Sequence, residues 1–226
     1  MGWIRRHVRV LMIGIIVALL AAGYVVYEVI TTQEKTTNIM TGTHSPGLAP
    51  GTWESTSSAP EESTPPADMV SSYQVAADHP RVLSIDRLNI RARILPMGIA
   101  NDGSIQTPKN IFDAGWYTSS AKPGTTGTSF LDGHASGATR QGLLAYLDTL
   151  QAGDMMSVEK GSGERLYYKV VHVDVVPLDG IDMDKALRTY GDAEHGLNIM
   201  TCTGTWLPDK LTYDKRVIVY TQQVNM

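Results

Sequence analysis

The sequence predicts a mainly β domain held at a membrane by an N-terminal transmembrane helix and a polar tether. Three observations carry this expectation. Residues 10–27 form an uncharged apolar run of 18, half of the fifty residues 31–80 are Ser, Thr, Pro or Gly, and the remainder breaks into short β-branched runs separated by turn residues. The expected organisation is a cytoplasmic N-terminus and anchor over 1–30, a disordered stalk over 31–80 and one folded domain over 81–226.

Composition sets the outer bounds. The 226 residues are 42% hydrophobic and 19% charged with a formal net charge of -4, enough for one ordinary domain plus flanking segments. Mild acidity and the lack of a basic stripe in the body argue against a nucleic-acid partner.

The apolar run, VLMIGIIVALLAAGYVVY, approaches the roughly 20 residues that cross a hydrocarbon core. Arg5, Arg6, His7 and Arg9 precede it, and Glu28, Glu34 and Lys35 follow. The positive-inside rule then places the first residues in the cytoplasm and the rest of the chain outside, in contact with the lipid bilayer only through the single span. A cleaved signal peptide is the competing assignment, but its apolar region is typically about 7–15 residues. The stalk has neither helical nor strand periodicity and too few apolar residues to offset the entropy of ordering. His44 and His79 lie in or beside it and receive no role.

In the body, Arg81-Val82-Leu83-Ser84-Ile85 and Ile90 to Leu95 read as strands around a turn or single helical turn at Asp86 to Asn89. Asn101-Asp102-Gly103 has the composition of a tight turn. Trp116-Tyr117, followed by Ser119, Ser120, Pro123 and Gly124, resembles a surface loop. Thr128 to Leu131 is a strand running into Asp132-Gly133-His134. Leu143, Leu144, Leu147 and Leu150 fall at helical spacing, which predicts a short amphipathic helix over Gly142 to Leu150. Met155 to Glu159 and Arg165 to Val176 are strands around a turn at Gly161 to Gly163. In the second, strand parity puts His172 with Tyr168, Val170 and Asp174. Asp182 to Tyr190 is expected to hold a helical turn. Asp182 and Asp184 lack the glycine and distal glutamate of a calcium loop.

The last two strands bring chemistry together. Gly196 to Cys202 runs into a loop over Thr203 to Lys215, and Arg216 to Gln222 returns. Adjacent strands joined without a helix are usually antiparallel, so Cys202 should lie beside Arg216. Cys202 is the only cysteine. Free cysteine is often an inert core residue, but a thiol beside a guanidinium is a candidate nucleophile, with a forked donor placed for an oxyanion. His134 also ends a strand before a flexible loop, where sheets present reactive groups. His172 and His195 are not assigned to the site. One cysteine, with neither CxxC nor HExxH, argues against a metal enzyme, and no cofactor is expected.

The order of these features resembles the sortases, the cysteine transpeptidases of bacterial surfaces. The likeness rests on the anchor and stalk, on Leu131-Asp132-Gly133-His134-Ala135-Ser136, on Thr201-Cys202 ending a strand, and on Arg216-Val217-Ile218-Val219-Tyr220 opening the last one. Gly115-Trp116-Tyr117 and the compact strand layout are similar to the class E and class F branches. Where the family has Thr-Leu-x-Thr-Cys, this chain has Asn198-Ile199-Met200-Thr201-Cys202. The resemblance implies a closed eight-stranded β-barrel with short helices, Cys202 as nucleophile, His134 as the acid that protonates the departing amine, and Arg216 as oxyanion and substrate support. It further implies cleavage of an LPXTG-like sorting signal on surface proteins between Thr and Gly. The acyl group would pass to an amine of peptidoglycan precursor or a pilin lysine. Two alternatives stay open: an L,D-transpeptidase, which would want a Ser-His-Gly-Cys-like cluster, and a tethered β-barrel that only binds surface ligands, which a buried Cys202 would favour.

Overall fold

The computed structural model describes residues 60–225. The expected transmembrane helix and the first part of the expected stalk lie outside the described residues, among which no helix is long and apolar enough to cross a membrane. Eight strands, β1 (Pro80–Ile85), β2 (Ile90–Met97), β3 (Ala114–Tyr117), β4 (Gly127–Asp132), β5 (Met155–Lys160), β6 (Arg165–Pro177), β7 (His195–Leu207) and β8 (Thr212–Val224), close into a barrel in the order β1-β2-β3-β4-β7-β8-β6-β5. Among the described residues two short α-helices, α1 (Ala67–Ser72) and α2 (Met183–Ala186), accompany them. The mainly β class and the closed eight-stranded barrel are as expected.

Two neighbouring pairs, β2 with β3 and β4 with β7, are parallel, and the others are antiparallel. Alternation sorts the side chains. Leu197 and Ile199 of β7 join Val217 and Val219 of β8, Leu131 of β4, and Leu83 and Ile85 of β1 inside the barrel. Residues of the opposite parity, Phe130, Ile218 and Tyr220, form a second cluster on the outer face with Ala186 of α2. Asn198, buried on that outer face, donates from Nδ2 to the carbonyls of Ala186 at 2.8 Å and Arg188 at 2.9 Å. A short helix thereby becomes a fixed cover over β7 and β8.

Four local expectations are corrected. Trp116-Tyr117 is not a surface loop but the end of β3: Trp116 is buried, and its indole N–H donates to the Ala121 carbonyl. A four-residue strand flanked by turn residues offers too little alternation to be recognised. The leucine stripe of Gly142 to Leu150 is buried as its spacing suggests, yet it forms only one 3-10 turn at Leu147–Thr149. Its backbone N–H groups are committed elsewhere, Gly142 to Ala135, Leu143 to Ile111 and Leu144 to His134, so a regular helix does not form. The loop expected from Thr203 to Lys215 is mostly hairpin, since β7 runs to Leu207 and β8 starts at Thr212. Finally, β6 carries a bulge between Val170 and His172. An extra residue reverses the parity beyond it, so Tyr168, Val170 and Val173 contribute to the inner cluster while His172 pairs with Tyr220 on the outer face.

The end of the expected stalk also differs. From Pro60 onward the chain lies against the barrel: Glu61 bridges Asn110, the Asn110 amide donates to the Ser63 carbonyl at 2.9 Å, and Arg81 donates to the carbonyls of Ser71 and Tyr73. His79 packs edge-on to Trp116 with ring centroids 5.1 Å apart. Polar composition does not signal this, because the bonds from Asn110 and Arg81 are accepted by backbone carbonyls that every residue owns.

Candidate active site

Strand register assembles the site. In the antiparallel β7–β8 pair Cys202 stands directly opposite Arg216, and Lys215 stands opposite Thr203. Opposed residues share a face, so the expected pairing of Cys202 with Arg216 is present and Lys215 belongs to the other face. In the parallel β4–β7 pair Asp132 is opposite Met200. One step further, the buried Thr201 hydroxyl donates to the Gly133 carbonyl at 2.7 Å. His134 follows Gly133 by one residue, as Cys202 follows Thr201. The three expected residues thus come in a row from the turn just after β4, from β7 and from β8. Parity places them on the outer face, continuous with Phe130, Met200 and Ile218.

His134 is held from both sides. Its Nε2 lies 2.8 Å from the Pro108 carbonyl. A carbonyl only accepts, so Nε2 carries the proton and Nδ1 is left with the free lone pair of a neutral ring. Burial lowers the imidazole pKa below its usual value, with the Pro108 bond opposing that shift. Its own carbonyl accepts from the Leu144 N–H, and Gly142 packs so closely that an added Cβ would stand 2.4 Å from the His134 carbonyl oxygen. Only glycine fits there.

Cys202 is neither buried nor fully exposed. Beside it, the Arg216 guanidinium donates to the carbonyls of Tyr213 and Lys215 and to the Thr212 hydroxyl, at 2.8 to 3.0 Å. These bonds hold it along the start of β8. The Tyr213 hydroxyl in turn meets the Ser136 hydroxyl at 2.7 Å, joining the loop after His134 to the strand that carries Arg216. Tyr213 also stacks edge-on against Trp206 across the hairpin, 5.3 Å between centroids.

Sequence reasoning missed several supports. Asp132, two residues before His134, is buried, accepts from the Thr107 hydroxyl at 2.7 Å and leaves Oδ1 without a partner. Burial pushes its carboxyl up to about 7. Thr107 immediately precedes the Pro108 that holds His134. Glu62, in the expected stalk, accepts from the backbone N–H groups of Ala138 and Thr139 and from the Thr139 hydroxyl, closing the loop beyond His134. Nothing in the local sequence of Pro108, Tyr213 or Glu62 marks them for this.

The other histidines stand apart from the row. His172 is hydrogen-bonded to Asp174 at 2.7 Å and stacked on Tyr190. His195 opens β7 seven residues before Cys202, roughly 23 Å away at about 3.3 Å per residue. Among the described residues no group of three His, Cys, Asp or Glu side chains is gathered for a metal.

Comparison with known proteins agrees with this architecture. No curated protein sequence matches the chain. Among solved structures it is similar to sortase A from Corynebacterium diphtheriae, at 20% identity and TM-score 0.50 over 66% of this chain and 61% of that one. It is also similar to the pilus-related sortase C of Group B Streptococcus, at 17% identity and TM-score 0.50 over 67% and 70%. The complex of Streptococcus agalactiae sortase C1 with MTSET gives 18% identity and TM-score 0.50 over 68% and 70%. At such identities these likenesses speak to the fold. The family is decided by the match of residues 83–224, from β1 to the end of β8, to the family model described as Sortase domain. This chain belongs to the sortase family and is a cysteine transpeptidase.

Proposed function

We propose that the enzyme cleaves an LPXTG-like sorting signal between Thr and Gly, holds the acyl part on Cys202, and transfers it to an amine of a peptidoglycan precursor or a pilin lysine. The observation that carries the assignment of roles is the row of His134, Cys202 and Arg216 set by the β4–β7 and β7–β8 registers. Neutral His134 takes the thiol proton at Nδ1, and the thiolate sulfur attacks the threonine carbonyl carbon. The oxyanion that forms is met by the Arg216 guanidinium, which exchanges one of its present backbone carbonyls for the substrate. The imidazolium returns its proton to the glycine nitrogen as the C–N bond breaks, since an amine leaves readily only when protonated. A second amine then reverses these steps on the thioester.

The partial exposure of Cys202 supports this over a tethered binding module, for which a buried thiol is expected. Gly115-Trp116-Tyr117, placed in β3, is what supports a class E or class F affinity. The uncharged run of residues 10–27 with its preceding arginines supports anchoring by a single span, with the N-terminus cytoplasmic and the barrel extracellular. The test is mass spectrometry of the protein incubated with a panel of sorting peptides. An acyl adduct on Cys202 with release of the glycine end is expected, and its absence with every peptide would overturn the proposal.

A further inference from the structure

The segment from Pro60 to Met69 does more than lie on the barrel. Between it and the outer face of β2 is a cavity of about 410 Å³, lined on one side by Pro65, Pro66 and Met69, on the other by Leu95 and Met97, with His134 at its edge. Cys202 and Arg216 do not line it. The cavity therefore reaches the proposed catalytic row from the histidine side alone.

Its chemistry is narrow. Most of the wall area is apolar, the exposed Glu61 and Lys109 also line it, and the charged pair Arg93 with the buried Asp113 is closed on itself by two hydrogen bonds of 2.9 and 2.6 Å. A largely apolar wall whose buried charges are paired disfavours the ammonium form, so an amine that passes inward from the exposed charges loses its proton more readily, and the neutral form is the one that attacks. Walls of proline, leucine and methionine suit a chain of methylenes better than a peptide backbone, whose polar groups would go unpaired. The volume falls within the usual range of about 300–1,000 Å³ for small-ligand sites.

Resting on the transpeptidation proposed above, we propose that this cavity takes the acyl acceptor, a primary amine on an unbranched aliphatic stem such as a lysine or diamino-acid side chain. The acyl donor is tied to Cys202 by its thioester, so the incoming amine needs a separate approach that passes His134. Its nitrogen attacks the thioester carbon, a C–N bond forms and the C–S bond breaks. The proton lost by the amine goes to the imidazole and then to the departing thiolate. Donor and acceptor thus arrive on opposite sides of the histidine.

The experiment uses the full chain in detergent micelles with an LPXTG peptide as donor and Nα-acetyl-lysine methylamide, pentylamine or neopentylamine as acceptor. Met69→Trp and Pro66→Trp fill the mouth from exposed positions, and thermal unfolding of each variant reports the fold. Acyl-enzyme formation, read by quenched mass spectrometry, should stay within about twofold, while the ratio of aminolysis to hydrolysis with the lysine amide should fall roughly fivefold or more, about 1 kcal/mol. The wild type should prefer pentylamine to branched neopentylamine, and the variants should lose that preference. An unchanged ratio in both variants would overturn the proposal. So would a parallel fall in acyl-enzyme formation, which would put the donor peptide in the cavity. No acyl-enzyme in the wild type would overturn transpeptidation itself and the acceptor site with it.

Discussion

Arg216 faces Cys202 and Lys215 does not, because neighbouring residues of a strand point to opposite faces and the register is fixed by Thr201 opposite Val217. A lysine at position 216 would replace a planar fork by a mobile point charge. Arg216→Lys is expected to lower turnover on a sorting peptide roughly 10²-fold, comparable to losing one oxyanion donor, while Lys215→Ala stays near wild type. Steady-state kinetics on both variants, with circular dichroism as the control for folding, decides this. Cys202→Ala should abolish acyl-enzyme formation with the thermal midpoint unchanged.

Asp132 gives a residue-level expectation of a different kind. Its folded-state pKa is raised to about 7 from 3.8, so the folded protein holds a proton that the unfolded chain releases between those values. The associated stability is complete below about pH 4 and is lost as the pH rises through 7. Asp132→Asn removes that dependence. Urea denaturation should show the variant gaining on the wild type by more at pH 8 than at pH 5, a difference on the order of a few kcal/mol. Equal differences at the two pH values would mean the carboxyl is not held protonated.

At the scale of elements, the β4–β7 junction governs the spacing between His134 and Cys202. Thr201→Val keeps the shape but strands the buried Gly133 carbonyl, a loss of about 1–3 kcal/mol. Lower stability together with a reduced kcat is expected, and urea unfolding with single-turnover acylation checks both. The β7–β8 part of the site was legible in the sequence because it depends on one hairpin: a β-branched run, a turn-rich stretch and a second run determine which ends meet. The partnership of β4 with β7 was not legible. It joins segments whose contacting residues Gly133 and Thr201 are 68 apart, and nothing in either strand names its partner. The family resemblance supplied His134 where periodicity could not. Likewise, the bulge in β6 is invisible to parity counting, which assumes an unbroken pleat.

For the whole molecule, the boundary of the folded unit lies earlier than the composition indicates. Deleting residues 60–79 removes the bonds of Glu62 to the loop after His134, of Asn110 to Ser63, and of Arg81 to the carbonyls of Ser71 and Tyr73. A chain beginning at residue 80 should unfold at a temperature lower by on the order of 5 °C than one beginning at residue 53, given the size of the domain. Differential scanning calorimetry of the two fragments measures it, and equal midpoints would show that the segment adds nothing to the barrel.

The parallel pairing of β4 with β7 also has a kinetic consequence. Loop-closure entropy delays contacts between distant segments, whereas a hairpin closes early. During folding the thiol therefore acquires its arginine neighbour with the β7–β8 hairpin and its histidine neighbour only when the barrel wall is completed between β4 and β7. A refolding chain is expected to pass through a stage at which Cys202 and Arg216 are adjacent and His134 is not yet in place. Transpeptidase activity is thus expected to be the last property to mature, a timing set by the order of strands in the sheet.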